Sequence, residues 1–159
     1  MSLAVVDIVK DRMDPRLSEV QALFERMYDE EALMGSEVQL APTGADLWTR
    51  GAVAGSERFG RLSIAVMNGR VVGFAHGAIR LQPDYLGTGA VGTITHVFVA
   101  PEHRKQGIAR QLVGSLDEWF AGKGVQRIEL TVLDGNPSGQ AFWEACGYHR
   151  TLVHMSKKP

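Results

Sequence analysis

Arg104-Lys105-Gln106-Gly107-Ile108-Ala109 sets two cations and a glycine directly before an amphipathic helical pattern. The first turn of a helix leaves backbone N–H groups unpaired and carries partial positive charge, so such a segment can hold phosphate oxygens. Gly107 removes the side chain that would obstruct their approach, and Arg104 and Lys105 can add charge-assisted contacts. The bland reading of the same residues is a tight helix entry and a solvated charged face. Two familiar phosphate binders fit poorly. The chain has no GxxxxGK[ST] segment, and Arg104 to Ala109 does not match GxGxxG in an early βαβ unit.

Base chemistry centres on His96, which adjoins the apolar run Val97-Phe98-Val99. An unperturbed imidazole titrates near neutrality and suits proton transfer. Alternation also groups His96 with Ile94 and Phe98, which reads as packing, and a one-residue change of register would turn it to the opposite face. Both readings stand at this point. His76, on a neighbouring apolar run, is a second and weaker candidate. Cys146 is the single cysteine. It lies in an apolar helical pattern near Trp143, so packing is favoured over nucleophilic work. The histidines and Cys146 make no zinc-site spacing, so no metal is expected.

These residues need elements to hold them. Leu3 to Val9 reads as a strand, and Asp14-Pro15 as a helix entry, with Ser18 as an alternative cap for a later start. Leu17, Val20, Leu23, Phe24, Met27 and Tyr28 recur at helical spacing within a helix over 17–33. Ala45 to Ala54 forms a short second helix. Leu62 to Met67 and Val71 to Ile79 form a hairpin about Asn68-Gly69, both of which tolerate positive φ. Thr93 to Val99 is a further strand, rich in β-branched residues. After Gly107, Ile108, Leu112, Val113, Leu116, Trp119 and Phe120 share one helix face, which Gly122 and Gly124 end. A strand over Ile128 to Leu133, a turn at Asp134-Gly135-Asn136-Pro137, a short helix over 139–146 capped by Ser138, and a final strand over Tyr148 to Ser156 complete the order. The result is a mixed α/β (α+β) domain around one central sheet, expected to span residues 1–159 as a single unit.

Two segments together resemble the GNAT superfamily of acetyl-coenzyme A-dependent N-acetyltransferases. Arg104 to Ala109 is similar to its [RQ]xxGx[GA] pyrophosphate motif. Asn136-Pro137-Ser138-Gly139-Gln140-Ala141-Phe142-Trp143-Glu144-Ala145-Cys146-Gly147-Tyr148 resembles its late asparagine-to-Gly-aromatic segment. The resemblance implies a mixed, mostly antiparallel sheet flanked by helices, and direct transfer of acetyl from acetyl-CoA to an amine. It implies that Val97, Phe98 and Val99 bind the pantetheine arm. Arg104, Lys105, Gln106, Gly107, Ile108 and Ala109 would then surround the pyrophosphate, Asn136 would contact the cofactor arm, and Trp143 would flank the thioester end. Several relatives carry a tyrosine general acid where this chain has Trp143, whose indole cannot serve as one. That departure keeps two alternatives open: acyl transfer to a hydroxyl or from a longer acyl-CoA, and a cofactor-binding sensor with weak or no catalysis.

On the acceptor side, the resemblance points to the end of the first helix. Asp29, Glu30 and Glu31 could attract a small cationic amine, with Glu31 or His96 taking a proton; their other reading is a solvated helix edge. Trp48, Phe59 and Tyr85 are candidates for an apolar wall there, or for ordinary packing. Pairing across the edge of the final strand would allow a homodimer.

Composition narrows the partners. The 159 residues are 45% hydrophobic and 22% charged, with a formal charge of -1. That balance gives no overall attraction to nucleic acid or to an anionic membrane. No apolar run approaches the ~20 residues of a bilayer span. The amino terminus lacks the basic-then-apolar order of a secretory signal, so a soluble cytoplasmic protein is the expectation.

Overall fold

The computed structural model describes residues 3–159. A five-stranded sheet runs in the order β1 (Val5–Val9), β2 (Gly60–Met67), β3 (Arg70–Leu81), β4 (Ala90–Val99), β5 (Arg127–Glu129). The first three ladders are antiparallel, and β4 pairs with β5 in parallel. Asn68 and Gly69 join β2 to β3 with φ of 52° and 74°, the left-handed pair that a tight hairpin requires.

Two helices cover one face. α1 (Leu17–Leu33) and α2 (Gly44–Ala54) bury Val20, Phe24, Met27 and Val53 against Leu62, Ile64, Phe74 and Phe98 of the sheet. Asp14-Pro15 forms the turn that enters α1, with Pro15 just before the cap rather than at the first helical position, and Ser18 does not cap the helix. Arg16 occupies the cap position, and Asp14 holds the entry turn by accepting from the Arg16 amide and guanidinium. The opposite face is covered by α3 (Ile108–Lys123), whose Leu112, Leu116 and Phe120 are fully buried against Ala65, Ala75 and Ile94. Gly92 allows that approach: a Cβ there would meet the Phe120 ring at 2.7 Å.

The last elements depart from the sequence reading. β5 ends at Glu129 rather than Leu133. Only Val91, Gly92 and Thr93 of β4 have partners on it, so the two strands part beyond Thr93. The fourth helix, α4 (Pro137–Ala145), is capped by Asn136, whose side chain accepts from the Gly139 amide at 2.9 Å, and not by Ser138. Pro137 takes the first helical position, where a missing N–H costs nothing. Tyr148 to Ser156 forms no strand; the segment from His149 onward is exposed, with Leu152 and Val153 open to solvent. Strand propensity is realised only against a partner edge. The shortened β5 offers none at that place.

Candidate active site

The parting of β4 from β5 leaves an open strand edge, the candidate site. The Ala100 amide donates to the Val72 carbonyl at 2.9 Å, so even-numbered residues at this end of β4 face β3. By alternation the backbone groups of Val97 and Val99 face the side that β5 has left. Apart from the Val99 carbonyl, their polar groups lie along an open edge, while their side chains lie on the α3 face. Phe98 is buried on the other face, against Phe74 and beneath the Arg104 guanidinium.

At the end of β4 a 3-10 turn over Pro101–His103 leads into the phosphate-type segment. Lys105 and Gly107 both adopt the left-handed conformation, at φ 62° and 78°. Alternating conformations of this kind turn successive amides toward one concavity. Among the described residues, the amides of Gln106, Gly107, Ile108, Ala109 and Arg110 have no protein acceptor. A Cβ at Gly107 would meet nothing within 4 Å, so the space above this amide cluster is open. Lys105 is exposed there and forms no ion pair among the described residues.

Arg104 does something the sequence does not indicate. Its Nε donates to the Val99 carbonyl at 2.8 Å, and its two terminal nitrogens donate to the Glu30 carboxylate at 2.8 and 2.7 Å. The guanidinium therefore ties the end of β4 to α1 at the edge of the cradle. Asn136 is similarly occupied through its capping oxygen. Trp143 is partly buried and packs edge-on against Phe142 and Tyr148. Burial pushes the Tyr148 phenol up to about 12, with Asp117 and Cys146 adding to the rise. Burial likewise raises the Cys146 thiol, which suits packing rather than nucleophilic attack.

His96 lies on the opposite face from the one that simple alternation with Ile94 suggests. The β3–β4 register slips between His76 and Gly77, so that His76 faces His96 while Gly77 faces Ile94, and Thr95 is the extra residue. A bulge of this kind reverses the side-chain sequence along a strand. Ile94 consequently packs with α3, whereas the His96 ring lies 5.1 Å from Phe24 and 5.1 Å from Trp48 on the α1–α2 face. The Thr95 hydroxyl, which the sequence reading missed, touches both His76 Nδ1 at 2.7 Å and His96 Nδ1 at 3.0 Å. Desolvation holds both histidines down to about 4; for His96 the neighbouring His76 adds to this, while the Ala52 carbonyl opposes it at His76. Both rings are neutral at pH 7.

Of the acceptor-side candidates, Trp48 is partly buried on the α1–α2 face: it stacks on Phe24 at 4.2 Å and meets both histidines edge-on. Phe59 and Tyr85 are surface residues, 54% and 84% exposed. Glu31 extends the Phe24–Tyr28 stripe of α1 and is half-buried, with its carboxylate raised by burial and by Glu30. It makes no hydrogen bond to His96; its Cα lies about 10 Å along the helix from that of Phe24. Asp29 is exposed, and Glu30 is taken by Arg104.

Known proteins bear on this arrangement. The acetyltransferase (GNAT) family model matches residues 20–148. Aminoglycoside N(6')-acetyltransferase type 1 of Salmonella typhimurium is 30% identical over 91 residues, which cover 55% of this chain and 61% of that protein. The same enzyme of Salmonella enteritidis matches equally. The match thus spans about three fifths of the length of these relatives. Among solved structures, aminoglycoside N-acetyltransferase AAC(6')-Iy in complex with CoA superposes with a TM-score of 0.80 at 18% identity, covering 100% of this chain and 96% of that one. A ribosomal-protein-alanine N-acetyltransferase from Brucella melitensis superposes at 0.71 with 16% identity, covering 98% and 99%. At such identities the likeness is one of fold.

Proposed function

This chain belongs to the acetyltransferase (GNAT) family, and from that premise we propose that it transfers the acetyl group of acetyl-CoA directly to the amine of a small, cationic acceptor. The observation that carries this reading is the shared end of β4. The amides without protein acceptors over 106–110 and the open backbone edge at Val97 and Val99 lie to one side of it, and His96 lies on its α1–α2 face.

The residues present fit acetyl-CoA. Amides at a left-handed turn before a helix suit a pyrophosphate, and Lys105 is available to neutralise it. Val97 and the Val99 amide offer strand-type hydrogen bonds to the amide groups of a pantetheine arm, and Asn136 and Trp143 are the residues proposed to flank it. Once bound, the coenzyme supplies the thioester. Donors on the parted edge of β4 stabilise negative charge on the carbonyl oxygen. His96 Nε2 accepts the proton that the amine nitrogen sheds as it bonds to the acetyl carbon. That nitrogen becomes far more acidic as it does so, and a weakly basic imidazole suffices. The thiolate is a tolerable leaving group, so Trp143 need not act as an acid.

The acceptor class follows from the α1 end. Glu31, half-buried and with no ion-pair partner among the described residues, attracts a cation at the end of the α1 stripe that carries Phe24 and Tyr28. The relatives that act on aminoglycosides support an amino-bearing small molecule. The exposed, unpaired segment carrying Leu152, Val153 and Met155 supports self-association as a homodimer, which light scattering tests. For the function itself, isotope-labelled acetyl-CoA is offered with a panel of amino sugars, polyamines and amino acids. Label in an amine product is expected, and retention of all label on the coenzyme refutes the reading.

A further inference from the structure

Thr95 is the extra residue of a strand bulge, and its hydroxyl joins two imidazoles on the face beneath Trp48. A hydroxyl has one proton and two lone pairs. Around Thr95 Oγ1 stand three neighbours: His76 Nδ1 at 2.7 Å, the His76 carbonyl oxygen at 3.1 Å and His96 Nδ1 at 3.0 Å. On the other side of the His76 ring, Nε2 and the Ala52 carbonyl oxygen converge on the place where Gly60 lacks a Cβ, at 3.2 and 3.7 Å from it. The Ala52 carbonyl is therefore placed to accept from His76 when Nε2 carries the proton.

The proton inventory then has three solutions with both rings neutral. If the hydroxyl donates to His76 Nδ1, His76 carries its proton on Nε2 toward Ala52, and only the His76 carbonyl faces a lone pair. If it donates to the His76 carbonyl, His76 Nδ1 must donate, and only Ala52 faces a lone pair. If it donates to His96 Nδ1, both carbonyls face lone pairs at once. Thr95 itself is exposed, but His76 is buried, and each acceptor facing an acceptor beside it is unfavourable, so the third solution, with two such conflicts, loses. In the two that remain, His96 Nδ1 is the donor.

We propose that Thr95 is a positioning residue that holds His96 as the Nδ1–H tautomer, with the Nε2 lone pair directed away from the bulge. His76 anchors the hydroxyl and is otherwise unused by the reaction. The histidine side chain in water favours the opposite, Nε2–H tautomer, so the arrangement works against the intrinsic preference of the ring. Its catalytic consequence rests on the reading of His96 as the base: the nitrogen that must accept a proton is the one kept bare. The groups packed on His96 are Phe24, Trp48, Thr95 and His76, and none of them donates to Nε2.

The test is side-chain nitrogen NMR of the histidines in the full-length protein at pH 7, assigned with His96→Gln and His76→Gln, beside steady-state kinetics of Thr95→Val and Thr95→Ser. A protonated Nδ1 and bare Nε2 on His96 are expected. Thr95→Val is expected to shift His96 toward the other tautomer and lower kcat roughly tenfold with the KM for acetyl-CoA unchanged; Thr95→Ser retains both. A protonated Nε2 on His96 in the unaltered protein overturns the proposal, even if every variant is folded and active. If Nδ1 is protonated while His96→Gln leaves kcat unchanged, the tautomer assignment stands and the base reading of His96 falls.

Discussion

At the scale of single residues, what decides chemistry here is which groups are already occupied. Arg104 reads from the sequence as a phosphate ligand, yet its donors go to Glu30 and the Val99 carbonyl. Lys105, exposed beside it, is the freer cation, so Lys105→Ala should weaken acetyl-CoA binding through lost charge. His96 is legible as a candidate because of its type and its neighbours, but its orientation was not. The Thr95 bulge that sets it depends on strand register, which alternation along one strand cannot reveal. His96→Gln should lower kcat about 100-fold, within the usual range for a general base. Because the ring is held down to about 4, wild-type kcat should not show a histidine limb near 6.5. The ring stays deprotonated through neutrality and takes a proton only as pH falls toward 4. A pH profile of kcat measured on both proteins checks this, since His96→Gln should lack that acid limb.

At the scale of elements, glycines set both the cradle and the core. Gly107→Val places a β-branched side chain at φ 78°, where left-handed backbone costs about 1–2 kcal/mol. No protein atom lies within 4 Å of that Cβ, so the loss of global stability should stop at that backbone cost. Acetyl-CoA affinity, read by calorimetry, should fall at least about tenfold. Gly92→Ala is the converse case. Its methyl would meet the Phe120 ring at 2.7 Å, and overpacking of that kind costs about 1–3 kcal/mol in chemical denaturation, with binding less affected. The elements that were legible share a cause: α1 over 17–33, the Asn68-Gly69 hairpin and the face of α3 are each encoded by local period or turn chemistry. Local signals fail where a partner decides. Residues 130–133 and 148–156 have strand-like composition, but β4 has parted from the first, and the second meets no paired edge. Ser138 lost the cap to Asn136 because Pro137 fits the first helical position and so places the boundary before it.

For the molecule as a whole, two neutral histidines buried between the sheet and α1–α2 couple stability to pH. Unfolded, each takes a proton near its ordinary value of 6.5; folded, only near 4. The unfolded chain therefore binds more protons between these values, so stability is complete above about 6.5 and is lost as pH falls toward 4. The loss should be on the order of a few kcal/mol for the pair, and His96→Gln should reduce it, as denaturant titrations at pH 7 and pH 5 would show. On the proposed reading, the same face would take the acceptor and the parted strands the coenzyme, so one sheet end would assemble both halves of the reaction. The family is set by the match over residues 20–148, while the fold is shared by enzymes as different as an aminoglycoside and a ribosomal-protein-alanine acetyltransferase. The acceptor must therefore be found by experiment. The most direct measurement follows label from isotopically labelled acetyl-CoA through a panel of small cationic amines and matched alcohols, with free thiol counted in parallel. The account predicts labelled amide in equal amount to released coenzyme A, and Glu31→Gln should raise the amine KM. Tight coenzyme binding with no label transferred, or label found only in esters, would contradict it.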